Sequence, residues 1–458
     1  MKTVFITIFQ GVEAKNILRT SVYRELVKRN DVRLVFFVRT PERAAYYSKE
    51  FFDSRISYEA VSYRAQQLSD RLFSFLKFHL IRTTTTDLRK RMTAELSRNW
   101  LGYWIGMAFN RVFARRIVRR LVRFFDRYFV TDRTFALFFE KYHPDLIFLE
   151  HLFDDEEIAL LREAKRRRVR TIGFINSWDK LTARCMIRLL PDELLVYNDI
   201  VKREAVAQAD LPPKLIQVVG IPQYDSYVHH QPTPRPEFMR RIGIDPAKRF
   251  LLYAPMGETF SGSDWDIIDL LQRWQESGEF GADVEVFVRF QPNDVLNDAE
   301  LRRRPWLRYD RPGVRFSAMR GVDWDMSGQE LGHLADTLHY MELLVCYASS
   351  MSVDAAVFSK PVVNINFEIK SAELLVKSPT QFYQMEHYRN ALATGGIRLV
   401  QSQPELLEWV RRYLADPTLD REGRARLVRQ QCGVLDGRAS ARIARAMLSP
   451  TGQQLSVL

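Results

Sequence analysis

The chain has very few cysteines: three in 458 residues, at Cys185, Cys346 and Cys432. They lie far apart and show neither the pattern of a disulfide framework nor the spacing of zinc ligands, so we expect a reducing compartment and no metal site. No run of about 18 apolar residues is free of charge, which argues against a membrane-spanning helix. Residues 1–9 form too short an apolar segment for a secretory signal, and no small-residue cleavage site follows them. These absences predict a cytoplasmic protein.

The composition is that of a soluble globular protein, with 46% hydrophobic and 27% charged residues. Strand-like and helix-like segments alternate along most of the chain and resume after a polar stretch at 229–236 that contains three prolines. Strands separated by helices indicate parallel β-α-β units. We therefore predict two α/β domains, 1–231 and 237–458, each with a doubly wound parallel sheet and the second with a helical tail. Ligands of such sheets bind at the carboxyl ends of the strands, so we expect the domains to face a cleft.

Residues 41–142 interrupt the alternation and are mostly helical by pattern, which predicts an insertion in the first domain. Within it, 111–127 places arginines and apolar residues on opposite sides of a helix, directly after the uncharged aromatic segment 100–109. This combination suits adsorption to an anionic membrane surface. A solvated arginine face on a helix that packs through its apolar side would give the same pattern. No nucleic-acid motif accompanies the charge, so we expect no nucleic-acid partner.

Polar residues follow two of the predicted strands in the first domain. After the first strand, Gly11 lets a ligand approach the backbone, and Glu13 can act as a base or bind acceptor hydroxyls. A polar turn with Asn16 as helix cap would have the same sequence. His151, at the end of another strand, is an alternative base or a structural histidine.

A further loop of the first domain, 176–184, crowds polar and ionisable groups around Trp178. A loop that only connects two elements does not require such a combination. Asp179 can deprotonate an acceptor hydroxyl, and Lys180 or Arg184 can neutralise phosphate charge. The loop therefore predicts a binding or catalytic site.

In the second domain, the loop 254–263 contains two glycines and three hydroxyl residues. Gly257, Glu258 and Thr259 in this loop can wrap a diphosphate, but the lysine of a Walker-type loop is missing, so ATP hydrolysis is not indicated. Arg289, at the end of the next strand, is placed to pair with phosphate or to form an ion pair at the domain surface.

The segment 343–366 reads as strand, serine-rich turn, short helix and strand. A helix start presents unpaired N–H groups and the positive end of the helix dipole, which suits a phosphate or diphosphate. Asp354, a few residues into the helix, could reach the ribose of a nucleotide held there. An ordinary crossover with a serine cap is the alternative interpretation.

The chain resembles a glycosyltransferase of the GT-B fold. The resemblance rests on segment 349–356 with 360–363, on the repeated α/β halves and on the linker. Within that class, the chain resembles bacterial surface-polysaccharide transferases in segments 176–182, 194–199 and 219–225. CDP-glycerol glycerophosphotransferase-like enzymes are similar to it in the donor half. The resemblance covers most of the chain except the helical insertion.

The resemblance implies that the C-terminal domain binds a nucleotide-activated donor and the N-terminal domain an acceptor. It implies no required cofactor or metal, because helix dipoles and basic side chains stabilise the departing nucleotide diphosphate. Ser349, Ser350 and Ser352 would bind the diphosphate and Asp354 the ribose. The sequence departs from the family in having Asp354 where Glu is usual and Gln291 where related domains often have His.

We therefore predict a glycosyltransferase that moves a sugar from a nucleotide-sugar donor to a hydroxyl of a glycan or lipid-linked acceptor. The expected process is cell-surface polysaccharide synthesis, with the protein peripheral on the inner membrane face. Three alternatives stay open: a polyol-phosphate transferase that uses a CDP-activated polyol, a nucleotide-sugar 2-epimerase, and a non-catalytic scaffold of envelope assembly tethered by its basic helix.

Overall fold

A computed structural model describes residues 1–63, 67–316 and 323–449 of the chain. The chain divides into two compact units. The first unit comprises Met1–Ala94, Arg98–Val228 and the segment that begins at Cys432, and the second comprises Glu95–Ser97 and His229–Gln431. Each unit contains a parallel sheet, as the alternation of strands and helices predicts. Within the described residues, no helix combines the length and the apolar character that crossing a membrane requires.

The first unit is built on a seven-stranded sheet in which every pairing is parallel. Its strands are β1 (Lys2–Thr7), β2 (Val32–Val38), β3 (Ile56–Ala60), β4 (Leu146–Leu149), β5 (Arg170–Ile175), β6 (Glu193–Val196) and β7 (Ile216–Val218). They lie in the order β3-β2-β1-β4-β5-β6-β7, so the direction of winding reverses between β1 and β4. Central strands such as β4 are apolar throughout and fully buried, because helices cover both faces of a parallel sheet.

Twelve helices of the first unit precede its boundary at Val228 within the residues described there. They are α1 (Gly11–Ile17), α2 (Ser21–Val27), α3 (Pro41–Glu50), α4 (Leu68–His79), α5 (Thr84–Ser97), α6 (Trp100–Phe113), α7 (Arg116–Phe129), α8 (Ala136–Tyr142), α9 (Asp155–Arg167), α10 (Lys180–Ala183), α11 (Asp199–Gln208) and α12 (Asp225–Val228). Single 3-10 turns lie at Pro213–Leu215 and Pro222–Tyr224. The predicted insertion at 41–142 is too long, because β3 lies inside that range and pairs in parallel with β2. The inserted helices are therefore α4 to α8.

The orientation of α7 is the reverse of a solvated arginine face. Arg119 and Arg123 are buried and donate to the carboxylate of Asp210 at N···O distances of 2.6–2.9 Å. Apolar side chains of the opposite face, such as Ile117 and Phe124, are exposed. The alternative of an arginine face in water is thus wrong for these two residues, because the unit supplies a buried carboxylate for their guanidinium groups.

A second buried charge cluster surrounds Asp126, on the same inward face of α7. Its carboxylate accepts hydrogen bonds from Arg162 of α9 at 2.7 Å and from Arg188 at 2.7 and 3.0 Å. Arg188 also donates to Asp70 of α4 at 2.7 Å. All four side chains are at most 2% exposed. Charge pairing in the interior therefore ties α4 and α7 to the body of the unit.

The second unit contains a six-stranded parallel sheet and a short antiparallel pair. Its strands are β8 (Arg249–Ala254), β9 (Val284–Arg289), β10 (Tyr309–Asp310), β11 (Val314–Arg315), β12 (Trp324–Asp325), β13 (Leu344–Cys346), β14 (Val362–Ile365) and β15 (Arg398–Val400). The large sheet has the order β10-β9-β8-β13-β14-β15, and β11 pairs with β12. The reversal here falls between β8 and β13, which repeats the plan of the first sheet.

The helices that surround this sheet are α13 (Arg235–Arg241), α14 (Asp264–Glu276), α15 (Asp298–Arg302), α16 (Gly328–Tyr340), α17 (Met351–Val357), α18 (Glu386–Leu392), α19 (Gln403–Ala415) and α20 (Arg421–Cys432), with 3-10 turns at Leu375–Lys377 and Pro379–Gln384. The stretch 229–236, expected as a linker, belongs to this unit. Thr233 within it donates to Asp336 of α16 from both its N–H (3.0 Å) and its hydroxyl (2.7 Å). The chain leaves the first unit at Val228, three residues before the predicted domain end at 231.

The last helix, α21 (Ala439–Leu448), packs on the first unit, although the sequence prediction grouped the tail with the second domain. The N–H groups of Ala439 and Ser440 at its start donate to the carboxylate of Asp225 at 3.0 and 2.7 Å. Near its end, the Lys2 ammonium group donates to the carbonyl of Met447 at 2.8 Å. Helical periodicity shows that the tail has an apolar face, but it does not show which domain covers that face.

We expect Asp210→Asn to destabilise the first unit by about 3 kcal/mol, because it leaves two buried guanidinium groups without a counter-charge. Asparagine has nearly the same shape and tolerates the left-handed backbone at this position (φ 60°), so the charge is the main change. Thermal unfolding of both proteins measures the effect. Asp31→Asn is the matched control, since Asp31 pairs with Arg29 on the surface, where solvent screens the two charges. Equal melting temperatures of the D210N variant and the control would contradict the assigned role.

Candidate functional site

The loops that follow β1 and β4 meet at the carboxyl edge of the first sheet, at the reversal of winding. The side-chain amide of Gln10 donates to Asp154 at 2.5 Å, and the amide of Asn16 donates to Glu150 at 2.6 Å. Asn16 is not a helix cap, since α1 already begins at Gly11. In open parallel sheets this reversal is the usual place of ligand binding.

Glu13 lies in the first turn of α1 and is 1% exposed. Its Oε2 accepts hydrogen bonds from the N–H groups of Phe9 (2.5 Å) and Gln10 (3.1 Å), which completes a capping box with Gln10. Burial, reinforced by the charge of Asp154, raises the pKa of Glu13 to about 7. Gly11, its neighbour in the sequence, is the buried first residue of the helix. Glu13 is therefore a structural cap whose carboxyl group titrates near neutral pH.

His151 follows β4, and its side chain is fully buried. Its Nδ1 accepts from the N–H of Phe153 at 3.2 Å, while Nε2 has no hydrogen-bond partner among the described residues. Burial, and then the positive charge of Lys180, lower the pKa of His151 well below the usual value for histidine. The ring is therefore neutral at physiological pH, and this burial matches the structural alternative.

Two further carboxyl groups, Glu150 and Glu157, are buried at the same edge. The hydroxyl of Thr7 and the N–H of His151 both donate to Glu157. Burial, and then the charge of Glu13, raise the pKa of both glutamates well above the usual value. The side-chain amide of Asn176, after β5, is also buried and has no hydrogen-bond partner in the described part of the chain. Buried polar groups that the fold leaves unpaired are typical of binding sites.

The loop after β5 carries Asp179, which precedes α10 and is half-buried. The hydroxyl of Ser177 donates to its carboxylate, and the neighbouring Trp178 is also half-buried. Lys180 is buried, and burial followed by the charge of Arg184 lowers the pKa of its ammonium group to about 8. The carboxylates of Asp179, Asp154 and Glu13 act in the opposite direction on Lys180. The structure thus brings Glu13, His151 and Lys180 together from three separate loops.

A cavity of about 450 Å³ opens beside these loops. It is lined by Arg39, Tyr63, Lys77, Phe78, Phe153, Asp154, Asp155, Glu156, Arg184 and Cys185. Two of its cations are paired, Arg39 with Glu156 at 3.3 Å and Lys77 with Asp155 at 2.7 Å. Arg184 is exposed and forms no ion pair with any residue that the structure describes. It is therefore available to an anionic group.

In the second unit, the loop after β8 and the turn after β13 emerge side by side, because Cys346 is the register partner of Ala254 in the parallel pair. The two loops flank the reversal of winding in this sheet. Gly257 has a φ of 91°, a backbone conformation that favours glycine, whereas Glu258 and Thr259 are exposed. The structure therefore places the two predicted phosphate-binding segments next to each other.

Asp264 holds the loop after β8 in place, and sequence reasoning did not single it out. Its buried carboxylate accepts from the hydroxyl of Tyr253 (2.7 Å) and from the N–H groups of Met256 (3.2 Å) and Gly257 (2.8 Å). Burial raises the pKa of Asp264 to about 6, although these hydrogen bonds oppose the shift. The side chain of Gln291 donates to the carbonyl of Met256 at 2.8 Å. Gln291 thus supports the loop backbone.

The three serines of the turn after β13 have different environments. Ser350 is exposed, and the half-buried Ser349 accepts a hydrogen bond from the N–H of Met351 at 3.2 Å. Ser352 is fully buried, and its hydroxyl contacts Tyr388 at 3.0 Å and Asn364 at 3.3 Å. Direct binding of a diphosphate by the Ser352 hydroxyl is therefore not compatible with this arrangement, since the side chain supports the turn from inside. Asp354, in the first turn of α17, is half-buried.

Arg289 forms an ion pair, the alternative to phosphate binding, but the pair is buried and does not lie at the domain surface. Its guanidinium group is 4% exposed and donates to Asp310 at 2.6 Å. The Nε2 atom of His333 lies 2.8 Å from the same carboxylate oxygen. The phosphate role of Arg289 is wrong in this arrangement, because its side chain is committed to the interior of the sheet edge.

A smaller cavity of about 150 Å³ lies at the loop after β8. It is lined by residues of three loops and of the start of α14: Pro255, Gly257, Glu258, Ser261, Gly262, Asp264, Trp265, Phe290, Asp294, Val295, Leu296, Asn297 and Lys377. Two predicted residues, Gly257 and Glu258, are among them. Lys377, on a separate 3-10 turn, adds a positive charge that the local sequence does not indicate.

A family model described as CDP-Glycerol:Poly(glycerophosphate) glycerophosphotransferase matches residues 192–449, more than half of the chain. The chain belongs to this family. It is therefore a transferase, and the resemblance to CDP-glycerol glycerophosphotransferase-like enzymes is confirmed. The match includes both loops at the reversal of the second sheet. No curated protein matches the sequence.

Solved structures similar to this glycerophosphotransferase-family chain share its fold over nearly the whole length. The Staphylococcus aureus MnaA-UDP co-structure has 10% identity and a TM-score of 0.54, covering 97% of this chain and 95% of the other. UDP-GlcNAc 2-epimerase from Neisseria meningitidis bound to UDP-GlcNAc has 11% identity and a TM-score of 0.56, and the match covers 98% of this chain and 100% of the other. The wall teichoic acid polymerase TagF with CDPG has 11% identity and a TM-score of 0.50, and the match covers 98% of this chain and 88% of the other. Identities this low show the fold alone, and they confirm the predicted GT-B class.

Several residues at the first-unit edge of this family member escaped the sequence analysis. Glu150 and Glu157 lie in the acidic run directly after β4, so their position at a strand end could have indicated them. Lys77 comes from the inserted helix α4 and reaches the cavity only through the tertiary fold. No local signal points to it.

We expect the pH dependence of stability to be weaker in Glu13→Gln. The pKa of Glu13 is raised from 4.5 to about 7, so the folded state holds its proton more tightly than the unfolded chain, and stability falls as pH rises through that window. Glutamine still accepts the backbone hydrogen bonds but cannot ionise. Between pH 4.5 and pH 8, the free energy of unfolding of the E13Q variant should therefore rise by roughly 3 kcal/mol relative to that of the unsubstituted protein.

Melting temperatures at pH 5 and pH 8 measure this difference. Glu25→Gln is the control, since Glu25 lies on the outer side of α2, where its side chain is 40% exposed and pairs with Lys28 at 2.6 Å. An identical change in melting temperature for E13Q and the unsubstituted protein would mean that Glu13 is ionised throughout.

Proposed function

We propose that the chain transfers a polyol-phosphate group from a CDP-activated polyol to a hydroxyl of an acceptor during cell-surface polymer synthesis. The observation that carries the proposal is the family match over 192–449, which includes the segment His229–Gln431 of the second unit. The structure of TagF, a wall teichoic acid polymerase, with CDPG supports it through fold only.

In this reaction the acceptor oxygen attacks the phosphorus that carries the polyol. The bond between that phosphorus and the oxygen bridging to the cytidine monophosphate breaks, and CMP leaves. The acceptor proton passes to a base, and the charge that develops on the phosphoryl oxygens needs N–H groups or cations around it.

The second unit would bind the donor. The backbone that follows Gly257 and the exposed Ser350, with Ser349 beside it, are the groups that we assign to the diphosphate, because they flank the sheet reversal where ligands bind, whereas the N–H of Gly257 itself is bonded to Asp264. Glu258 and Thr259 are exposed next to Gly257. Asp354, in the first turn of α17, is assigned to the ribose hydroxyls.

The first unit would bind the acceptor. Asp179 is the proposed base because it is half-buried and accessible at a strand end, whereas Glu13 and His151 are almost fully buried. Arg184 and Lys180 are assigned to phosphate charge and Trp178 to the acceptor surface. The position of Gly11 inside the buried start of α1 leaves it a structural rather than a contacting role.

Transfer of a sugar from a nucleotide sugar, the first prediction from the sequence, is the second candidate. It would use the same half-sites, but the bond that breaks joins the anomeric carbon to oxygen, so a nucleoside diphosphate leaves instead of CMP. The two reactions are therefore distinguishable by product. A 2-epimerase would turn over a nucleotide sugar without an acceptor, and a scaffold would bind no donor.

Thermal-shift measurements with a panel of CDP-polyols and UDP-, GDP- and dTDP-sugars test the donor. A ligand at a hundredfold its Kd stabilises the folded state by about 2.7 kcal/mol, which moves the melting temperature by a measurable amount. We expect stabilisation by a CDP-polyol and release of CMP once a polyol-phosphate-primed acceptor is added. Stabilisation only by a nucleotide sugar, with release of a nucleoside diphosphate, would replace the proposal by the second candidate. No stabilisation by any compound would favour the scaffold.

We expect Asp179→Asn to lower the transfer rate by about 10²–10⁴-fold while the thermal shift produced by the donor stays the same. Asparagine keeps an acceptor for the Ser177 hydroxyl but cannot take a proton. Asp199→Ala, an exposed residue at the start of α11, is the control. An unchanged rate in D179N would remove Asp179 as the base without affecting the donor assignment.

A further inference from the structure

Three neighbouring inserted helices expose large apolar side chains along one stripe each. On α4 the exposed residues are Leu68, Leu72, Phe75 and Phe78. On α6 they are Trp100, Leu101, Trp104, Ile105, Val112 and Phe113. On α7 they are Ile117, Leu121, Phe124, Phe125, Tyr128 and Phe129. We call these side chains the apolar face, and each is between 42% and 82% exposed. Contiguous apolar surface of this extent marks an interaction site.

The three helices pack against one another. They share a small core of Leu80, Ile81 and Met186. Each helix contributes a side chain to its surroundings: Leu76 of α4, Phe109 of α6, and Val118 and Val122 of α7. The side-chain amide of Asn110 in α6 donates to the carbonyls of His79 (2.7 Å) and Ile81 (2.8 Å) at the end of α4. Their apolar stripes therefore belong to one assembly of helices.

The buried ion pairs determine that this face points outward. Arg119 and Arg123 of α7 are pinned to Asp210, and Asp126 is pinned to Arg162 and Arg188, so the opposite side of α7 must face away from the unit. Rotating the helix to bury its phenylalanines would take the α7 partners away from Asp210, Arg162 and Arg188 and leave these buried charges against apolar side chains, which costs several kcal/mol for each ion. The exposure of the apolar face is thus a property of the folded unit.

The surroundings of the apolar face are strongly basic. Between residues 68 and 129 there are fourteen Lys or Arg and four Asp or Glu, and two of those acids, Asp70 and Asp126, are buried in ion pairs. The exposed arginines Arg98, Arg111, Arg115, Arg120 and Arg127 form no ion pair with any described residue. The face therefore combines apolar and aromatic side chains with unneutralised guanidinium groups.

We propose that the apolar face inserts into the interface of an anionic lipid bilayer. Its phenylalanines, leucines and isoleucines would reach the boundary between headgroups and acyl chains, Trp100, Trp104 and Tyr128 would lie at headgroup level, and the unpaired arginines would bind lipid phosphates. The sequence indicated a membrane contact through the arginines of 111–127. In the structure, Arg119 and Arg123 are buried and unavailable for that contact, so we assign it to the apolar side instead.

A second copy of the chain fits this face less well than a bilayer does. Two copies that joined through it would bring both sets of unpaired arginines together with only Asp87 and Glu95 of each segment to offset them, and like charges oppose such contact. Anionic headgroups provide the missing counter-charge. Each cation near the surface raises the affinity of the protein for the bilayer about fivefold.

Flotation of the full chain with vesicles tests the proposal, independently of donor or acceptor. We expect the protein to float with vesicles of equal phosphatidylcholine and phosphatidylglycerol at low salt, and much less with phosphatidylcholine alone. Trp104→Ser combined with Phe124→Ser should lower the bound fraction at least about tenfold. Trp306→Ser, which removes a 37% exposed tryptophan from the second unit, is the matched control and should bind as the unsubstituted protein does.

Arg111→Gln, Arg115→Gln and Arg120→Gln together test the charge contribution without touching a buried pair. This triple variant should keep its melting temperature but lose about a hundredfold in affinity for the anionic vesicles. Absence of flotation by the unsubstituted chain, or flotation unaffected by both sets of substitutions, would overturn the proposal. So would lipid-free dimerisation that W104S/F124S abolishes, since the face would then join two copies of the chain.

Discussion

Buried pairing of arginine with aspartate is the constraint on which the first unit depends. Asp126 and Asp210 each accept hydrogen bonds from two guanidinium groups, and neither carboxylate is more than 2% exposed. Desolvating so many charges is tolerated only because each finds a partner at close range. The pairs hold the inserted helices against the sheet, and they dictate that the apolar residues of α7 remain outside. The stability of the insertion and the character of its surface therefore have one origin.

Both sheets follow the same plan, in which winding reverses beside the first strand of each unit. In the first unit this reversal gathers Glu13, Glu150 and His151, and in the second it sets the loop at Gly257 beside the turn at Ser350. The geometry requires little of the sequence beyond parallel β-α-β units. It explains why a family of transferases and structures with about 10% identity can share the architecture.

Candidate residues near these reversals differ in whether their side chains form contacts in the interior or remain accessible to a ligand. Ser352 and Arg289 are bound into interior contacts, whereas Ser350, Glu258 and Arg184 face solvent. Sequence position placed the candidates in loops at strand ends, since polar residues that follow strands are visible in a linear pattern. It did not separate the side chains that support a loop from those that can meet a ligand, because that distinction arises from neighbours such as Tyr388 and Asp310, which lie 36 and 21 residues further along the chain.

The sequence by itself determined the two α/β units, the parallel strands, the loops at their carboxyl ends and the likeness to glycerophosphotransferases, because periodicity and strand-end motifs are local properties. Only the tertiary structure decided that β3 joins the first sheet, that α21 returns to the first unit, and that α7 turns Arg119 and Arg123 inward. Each of those outcomes rests on a partner distant in sequence: β2 for β3, Asp225 for α21 and Asp210 for α7. An amphipathic pattern shows that a helix has two faces, and the charge or apolar surface that it meets decides which one is buried.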